Sequence, residues 1–404
     1  MKNLKKKGFT IVELVIVIAV IAVLAAVLIP TFVNLTRKAN LSADTVIAKE
    51  INTIIAVENA SDEFEGFEDV IEALYSNGFY LANLNTKTEG CFFIWDSETN
   101  KMLLVDAKDN FKVLFPESGY TAKGATWHLV CSDRDLLADI ETDGMVVNYA
   151  VSSADSLNQI IAAGTSEPIF VDKNFEIKEG SAIAFKNGAE ATLILGDSSL
   201  STEGTINGAP VYVSESTLTI QGGTLNATGE FSNENGTFNC AIGYDGGAKL
   251  TIIDVNFIGI TGINGTMNGA NDGHDVELVV ENSTFEVSGS GVILSTGNGT
   301  SSTAEINNCT ISADKYAIFT SQGGTITVNG GTYKGDLEVI HSQDAGTKVI
   351  VNSGTFVGPL SASGGGQIII NGGTFSVDPT SYLADGCEAT QNADGMWVVT
   401  SANK

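Results

Sequence analysis

From Phe9 to Ile29 the chain runs through 21 residues that carry a single charge, the carboxylate of Glu13. A helix needs about 20 apolar residues to cross the roughly 30 Å of hydrocarbon in a bilayer, so this run is long enough to span one. A helix that is apolar on every side must be covered by lipid or by other protein. Lys2, Lys5, Lys6 and Lys7 precede the run. They hold the N-terminus on the cytoplasmic side and send the rest of the chain outward. A secretory signal peptide is the competing explanation, with "VLA" at 23–25 as its cleavage site. The run is long for a signal, and Gly8 and Glu13 lie on the wrong side of it for that use. A charged group at membrane depth costs at least about 2.5 kcal/mol, so Glu13 needs a partner or a task.

The stretch "KKKGFTIVELVIVIAVIAVLAAVLIP" (5–30) resembles the leader and transmembrane helix of type IV prepilins and type II secretion pseudopilins. It has the basic leader, Gly8, a phenylalanine, and a glutamate five residues into the mature chain. The resemblance covers about the first 55 residues. It implies that a prepilin peptidase cuts between Gly8 and Phe9 and methylates the new amine of Phe9. It also implies that Glu13 neutralises that amine on a neighbouring subunit, and that Pro30 marks a helix kink. The implied partners are the peptidase, other pilin or pseudopilin subunits and the cytoplasmic membrane, with a single pass and an extracytoplasmic C-terminal part. An ion pair formed in a low-dielectric helix bundle is strong when satisfied and costly when broken, which suits a contact made only on assembly.

Beyond Pro30 the residues Ile47, Ile51, Ile54, Ile55 and Glu58 keep helical spacing, and the helix is expected to end near Asn59. "GFEDVIEALYSNGF" (66–79) reads as a short helix stopped by Asn77-Gly78. "CFFIWDSETNKMLLVDAKDNFKVLF" (91–115) reads as three antiparallel strands separated by "DSETN" and "AKDN". A helix followed by such a meander extends the resemblance to a small α+β pilin-like head, with Phe92, Phe93, Trp95 and Trp127 in its core. Residues 120–150 show no clear pattern.

From about residue 190 a ten-residue theme returns: "LILGDSSLST" (193), "LTIQGGTLNA" (218), "LTIIDVNFIG" (250), "LVVENSTFEV" (278), "AEINNCTISA" (304), "ITVNGGTYKG" (326), "VIVNSGTFVG" (349) and "IIINGGTFSV" (368). In each copy the first, third and eighth residues are apolar or small, the pattern of a strand with inward side chains and a turn. "NGGT" supplies the turn, since glycine tolerates positive φ. Short runs such as "CAIGY" (240–244), "AIFTS" (317–321) and "EVIHS" (338–342) lie between copies. Repeats of this kind predict a parallel β-solenoid, expected to be right-handed. Asn307, Asn329, Asn352 and Asn371 share one repeat position and should stack as a ladder. Solenoid ends need covers. "VSSADSLNQIIAAG" (151–164) reads as an amphipathic helix plugging the start, and 381–399 would close the other end.

The fold class that follows is a long N-terminal transmembrane α-helix with a small α+β pilin-like head, then an all-β right-handed parallel β-helix (solenoid). The expected segments are a leader (1–8), the helix (9–59, with 9–29 in the membrane), the head (60–148) and the β-helix with its caps (149–404).

Charge and cysteine usage narrow the function. The formal net charge is −27, and the region beyond residue 50 carries −31, which disfavours nucleic acid as a partner and repels acidic polysaccharides. The five cysteines show no zinc spacing, and no cofactor or metal is expected. Cys240 and Cys309 fit buried thiols, and a Cys91–Cys131 disulfide is open to an exported chain. Right-handed β-helix lyases resemble one another in using an arginine or lysine base beside calcium-binding aspartates, and the hydrolases in using three aspartates. Here no arginine follows Arg134. Asp272, His274 and Asp275 in the loop 268–277 are the nearest approach to such a site, calcium binding being its mildest form and a solvated acidic loop the favoured one. Cys309 and His341 belong to different coils, and His341 has no carboxylate neighbour evident in sequence. The chain is therefore expected not to be an enzyme. It reads as a minor pilin-like or pseudopilin-like surface protein whose β-helix serves adhesion or binds a glycan or surface protein. The alternative is a membrane-anchored polysaccharide-active β-helix enzyme.

Overall fold

The computed structural model describes residues 11–61, 64, 66–79, 85–116, 126–131, 144–151, 153–164, 168–178, 182–202, 209–228, 240–265, 275–295 and 301–401. They fall into two compact units, one over Met1–Phe79 and Asn83–Leu129 and the other chiefly from Val147 onward.

The first unit is built on one helix, α1 (Ile11–Ser61), of 51 residues, or about 77 Å at 1.5 Å per residue. It ends two residues beyond the expected Asn59. Among the described residues, cover falls on its second half, through Asp44, Ala48, Ile51 and Ile55. Against that face lie α2 (Phe67–Ser76) and four antiparallel strands, β1 (Cys91–Asp96), β2 (Lys101–Asp106), β3 (Lys112–Phe115) and β4 (Trp127–Cys131). Their order is β3–β2–β1–β4. Both expected turns are present. Asp96 accepts from the Thr99 hydroxyl at 2.6 Å in "DSETN", and Asp106 caps the 3-10 turn Ala107–Asp109 in "AKDN". Phe92, Phe93, Trp95 and Trp127 are buried as expected, and β4 comes from the region that sequence left unplaced.

Polar side chains fasten the second half of α1 to the sheet. The fully buried Asp44 accepts backbone N–H bonds from Lys87 (2.8 Å) and Thr88 (2.9 Å). The Asn52 amide donates to the Met102 carbonyl and accepts from the Met102 N–H, each at 2.8 Å, so it completes the β2 backbone where β3 does not reach. Arg37 reaches Asp106 at 2.7 Å. A buried carboxylate held by two N–H donors is costly to leave unpaired, so these contacts fix the register of helix on sheet.

The second unit is a parallel β-solenoid of three strand stacks. The first and second stacks meet at the "NGGT" corner; the third holds eight strands, from Ile183–Phe185 to Leu360–Ser363. All neighbouring coils pair in parallel, and the register aligns equivalent residues: Leu250 lies opposite Leu278, Ile252 opposite Val280, Phe257 opposite Phe285. The first, third and eighth residues of all eight copies are buried. The eighth position becomes an aromatic column, with Phe257 on Phe285 at 4.3 Å and Tyr333, Phe356 and Phe375 stacked in sequence at 4.9 Å each. One copy departs from the sequence alignment. Leu193 pairs with Ile220, the third residue of the next copy, while Leu200 pairs with Leu225, and a bulge in the longer turn "GDSS" absorbs the difference.

The asparagine ladder forms as expected. Asn329 donates to Asn307 at 2.9 Å, Asn352 to Asn329 at 2.8 Å, and Asn371 to Asn352 at 2.9 Å. Each amide uses its donor on one coil and its acceptor on the next, which only a parallel stack allows. At the same corner Gly331 has φ +95°, and a Cβ there would lie 2.2 Å from the Cys309 carbonyl oxygen, so this coil packs too closely for any other residue.

Both ends are covered. The helix α3 (Ala154–Ala163) is capped by Ser153, buries Leu157 and Ile160, and packs beside the first strand of the third stack. At the other end Cys387–Gln391 and Trp397–Ser401 form an antiparallel hairpin, which pairs with Gly373–Phe375 and occupies the edge of the last coil. Because each coil contacts only its neighbours, damage should stay local. Phe356→Ala removes two ring stacks at a cost of about 3–5 kcal/mol. Amide hydrogen exchange should speed up in the coils holding Tyr333, Phe356 and Phe375 and stay unchanged around Phe257 and Phe285.

Candidate functional site

The first half of α1 carries the most unusual surface. From Ile11 to Leu35 its large apolar side chains are exposed on every side, from 44% for Val17 to 81% for Ile11. By length and composition this is a segment able to cross a membrane. Glu13 lies in the first turn of α1 as described and is its only charge before Arg37. Gly8 and Phe9, the expected processing residues, lie outside the described residues. The helix continues through Pro30. Proline lacks the N–H that the Ala26 carbonyl would take up, and the Thr31 hydroxyl donates to the adjacent Val27 carbonyl at 2.8 Å.

In the solenoid, Asp272 and His274 also lie outside the described residues, and the Asp275 carboxylate accepts from the Ser301 N–H at 2.6 Å. Among the described residues no group of His, Cys, Asp and Glu is arranged to hold a metal. Cys309 is buried at the corner between the first and second stacks, and burial pushes its thiol up to about 11. His341 sits on the outer face of the third stack, so the two do not meet.

Structure does supply His341 with the carboxylate that sequence did not reveal. Its Nδ1 is hydrogen-bonded to Glu338, and its Nε2 lies 3.2 Å from Ser363 Oγ. Serine, histidine and carboxylate in that order can activate a hydroxyl. The surroundings oppose that use. Ser363 is exposed, its carbonyl takes up the N–H groups of Gly366 (2.9 Å) and Asp344 (3.0 Å), and the Asp344 carboxylate lies against Gly364 in the turn that follows. A negative charge there works against a developing oxyanion. His341 instead belongs to a ring cluster with Tyr316 at 5.4 Å and Phe319 at 5.3 Å.

Comparison with known proteins bears on the N-terminal segment. Residues 3–29 match the family model described as the prokaryotic N-terminal methylation motif. The chain is 51% identical over 49 residues to the type IV wide pilus major component PilA4 of Thermus thermophilus, a match covering 12% of this chain and 35% of that protein. It is 31% identical over 101 residues to the type IV major pilin protein PilE1 of Neisseria gonorrhoeae, covering 21% of this chain and 56% of that one. With the type IV narrow pilus major component PilA5 of Thermus thermophilus it shares 39% identity over 54 residues, 13% of this chain and 47% of the relative. The chain thus spans about a third to just over half of each relative's length. No solved structure matches.

Cys91, Cys240, Cys309 and Cys387 are free thiols and Cys91 is buried in β1, so the Cys91–Cys131 disulfide that the sequence left open is not formed in this structure. Burial first of all pushes Cys91 up to about 11 and Cys240 up to about 12. Their unfolded value is 9.0, so with Cys309 they favour the folded state fully below pH 9, and that contribution fades as pH rises toward 11–12. At about pH 8 iodoacetamide should therefore modify the half-buried Cys387 ahead of these three, with peptide mapping as the readout. Equal labelling of all four in the native chain would contradict the burial described.

Proposed function

We infer that this protein is a pilin-like subunit, made with a leader that prepilin peptidase removes, held in the cytoplasmic membrane by one pass of α1, and later assembled with other pilin or pseudopilin subunits through that helix. One observation carries this reading: the uncovered apolar half of α1 coincides with the methylation motif and has Glu13 as its only acid. Cutting between Gly8 and Phe9 would create a cationic amine close in sequence to that acid. In a bundle of such helices the amine of one subunit is a fitting partner for Glu13 of the next. The relatives are named as pilus components, which supports assembly as the role of the shared segment.

The matched methylation motif ends at residue 29, well short of the solenoid, and we take the solenoid to be a non-catalytic module carried to the cell surface or a pilus for adhesion. Support comes from the protonated, buried Cys309 and from the exposed, oxyanion-hostile setting of Ser363. A module this bulky suits a minor or tip subunit better than a densely packed shaft. Pro30 is a fitting place for α1 to bend on assembly.

Mass spectrometry of the protein recovered from its native cell envelope tests the processing step. The expected N-terminus is Phe9 carrying one added methyl group. An intact Met1, or cleavage near residues 23–25 as for a secretory signal, would contradict it.

A further inference from the structure

The third strand stack holds a cavity of about 460 Å³ on its outer face. Val292, Leu294 and Ile318 point into the core, so the alternating Ile293 and Phe319 face outward and line the cavity. That volume lies within the roughly 300–1,000 Å³ typical of small-molecule sites.

Its lining has a distinct chemistry. Tyr316 and Phe319 present two half-buried rings 5.1 Å apart and tilted by 37°, with His341 completing the cluster. Around them stand hydroxyl and amide groups: Ser321 donates to Ser295 at 3.0 Å, and Gln322 and Gln343 complete the rim. Deeper, Thr261, Asn264 and Ser290 are polar yet only 3–5% exposed, although they border the cavity. Among the described residues no carboxylate lines the cavity, and the one cation there, Lys315, is already engaged within the chain. The chain's net charge of −27 disfavours anions.

Flat apolar rings flanked by neutral donors and acceptors match a molecule with one C–H face and a girdle of hydroxyls. We propose that this cavity binds a neutral saccharide, with one pyranose seated on Tyr316 and Phe319 and its hydroxyls met by the serine and glutamine side chains. This rests on reading the solenoid as a displayed adhesive module and is independent of how α1 assembles.

The test uses the full chain in a zwitterionic detergent without sugar headgroups. Cellobiose, lactose, maltose and mannobiose are titrated against it, with digalacturonate as the acidic comparator, and binding is read by calorimetry and saturation-transfer NMR. At least one neutral disaccharide should bind, and Phe319→Ala should weaken it by about tenfold or more, as expected for a ring at the centre of a contact. Gln343→Ala, at the rim, should weaken it less and carries the test if Phe319→Ala does not fold. Binding of none of the four, affinities unchanged in both variants, or a preference for digalacturonate would overturn the proposal. Measuring the N-terminal mass of the same sample separates the two readings: a methylated Phe9 with no saccharide bound sinks only the cavity's assignment.

Discussion

Half of a helix of about 77 Å has no cover among the described residues, and everything else about the protein has to accommodate that. Lipid can cover it, and so can other helices, and the two environments are almost equally apolar. Leucine and valine side chains therefore provide little force for leaving one for the other. A polar pair behaves differently, because a carboxylate that is costly in hydrocarbon gains from meeting a cation in a bundle. Glu13, as the lone acid of the span, is the residue able to bias that exchange. The second half of α1 solves the opposite problem. There Asp44 and Asn52 bind backbone groups of the sheet and hold helix and sheet in one arrangement.

The solenoid reaches stability by repetition. Successive coils stack leucines, an isoleucine or aromatic rings at the eighth position, and the later coils add an asparagine ladder and tight glycine corners, all buried or bonded only against their neighbours. Such a stack leaves its outer faces free to vary, because core and corner residues alone set the fold. The third stack uses that freedom, setting polar side chains where the core pattern makes no demand.

What was legible in sequence followed from periodicity. Positions one, three and eight of each copy, the asparagine column, the α3 plug and the β1–β3 meander all repeat or alternate, and all are found where that pattern puts them. The pairing of Leu193 with Ile220 was not legible, because a turn two residues longer shifts the strand before it without changing its composition. Contacts between distant single residues left no signal either. Asp44 to Thr88 and His341 to Ser363 join positions 44 and 22 residues apart, and neither member is marked by its neighbours in the chain. β4 stayed hidden because its five residues are too short a run for alternation to stand out.

We take Glu13 to be an assembly contact rather than a residue tolerated in the membrane. The most direct test is to express Glu13→Ala beside the wild-type chain, shear filaments from the cells and measure by quantitative mass spectrometry how much of each is incorporated. The variant should be cut and held in the membrane but strongly depleted from the sheared fraction. Incorporation of the variant at the wild-type level would contradict this role.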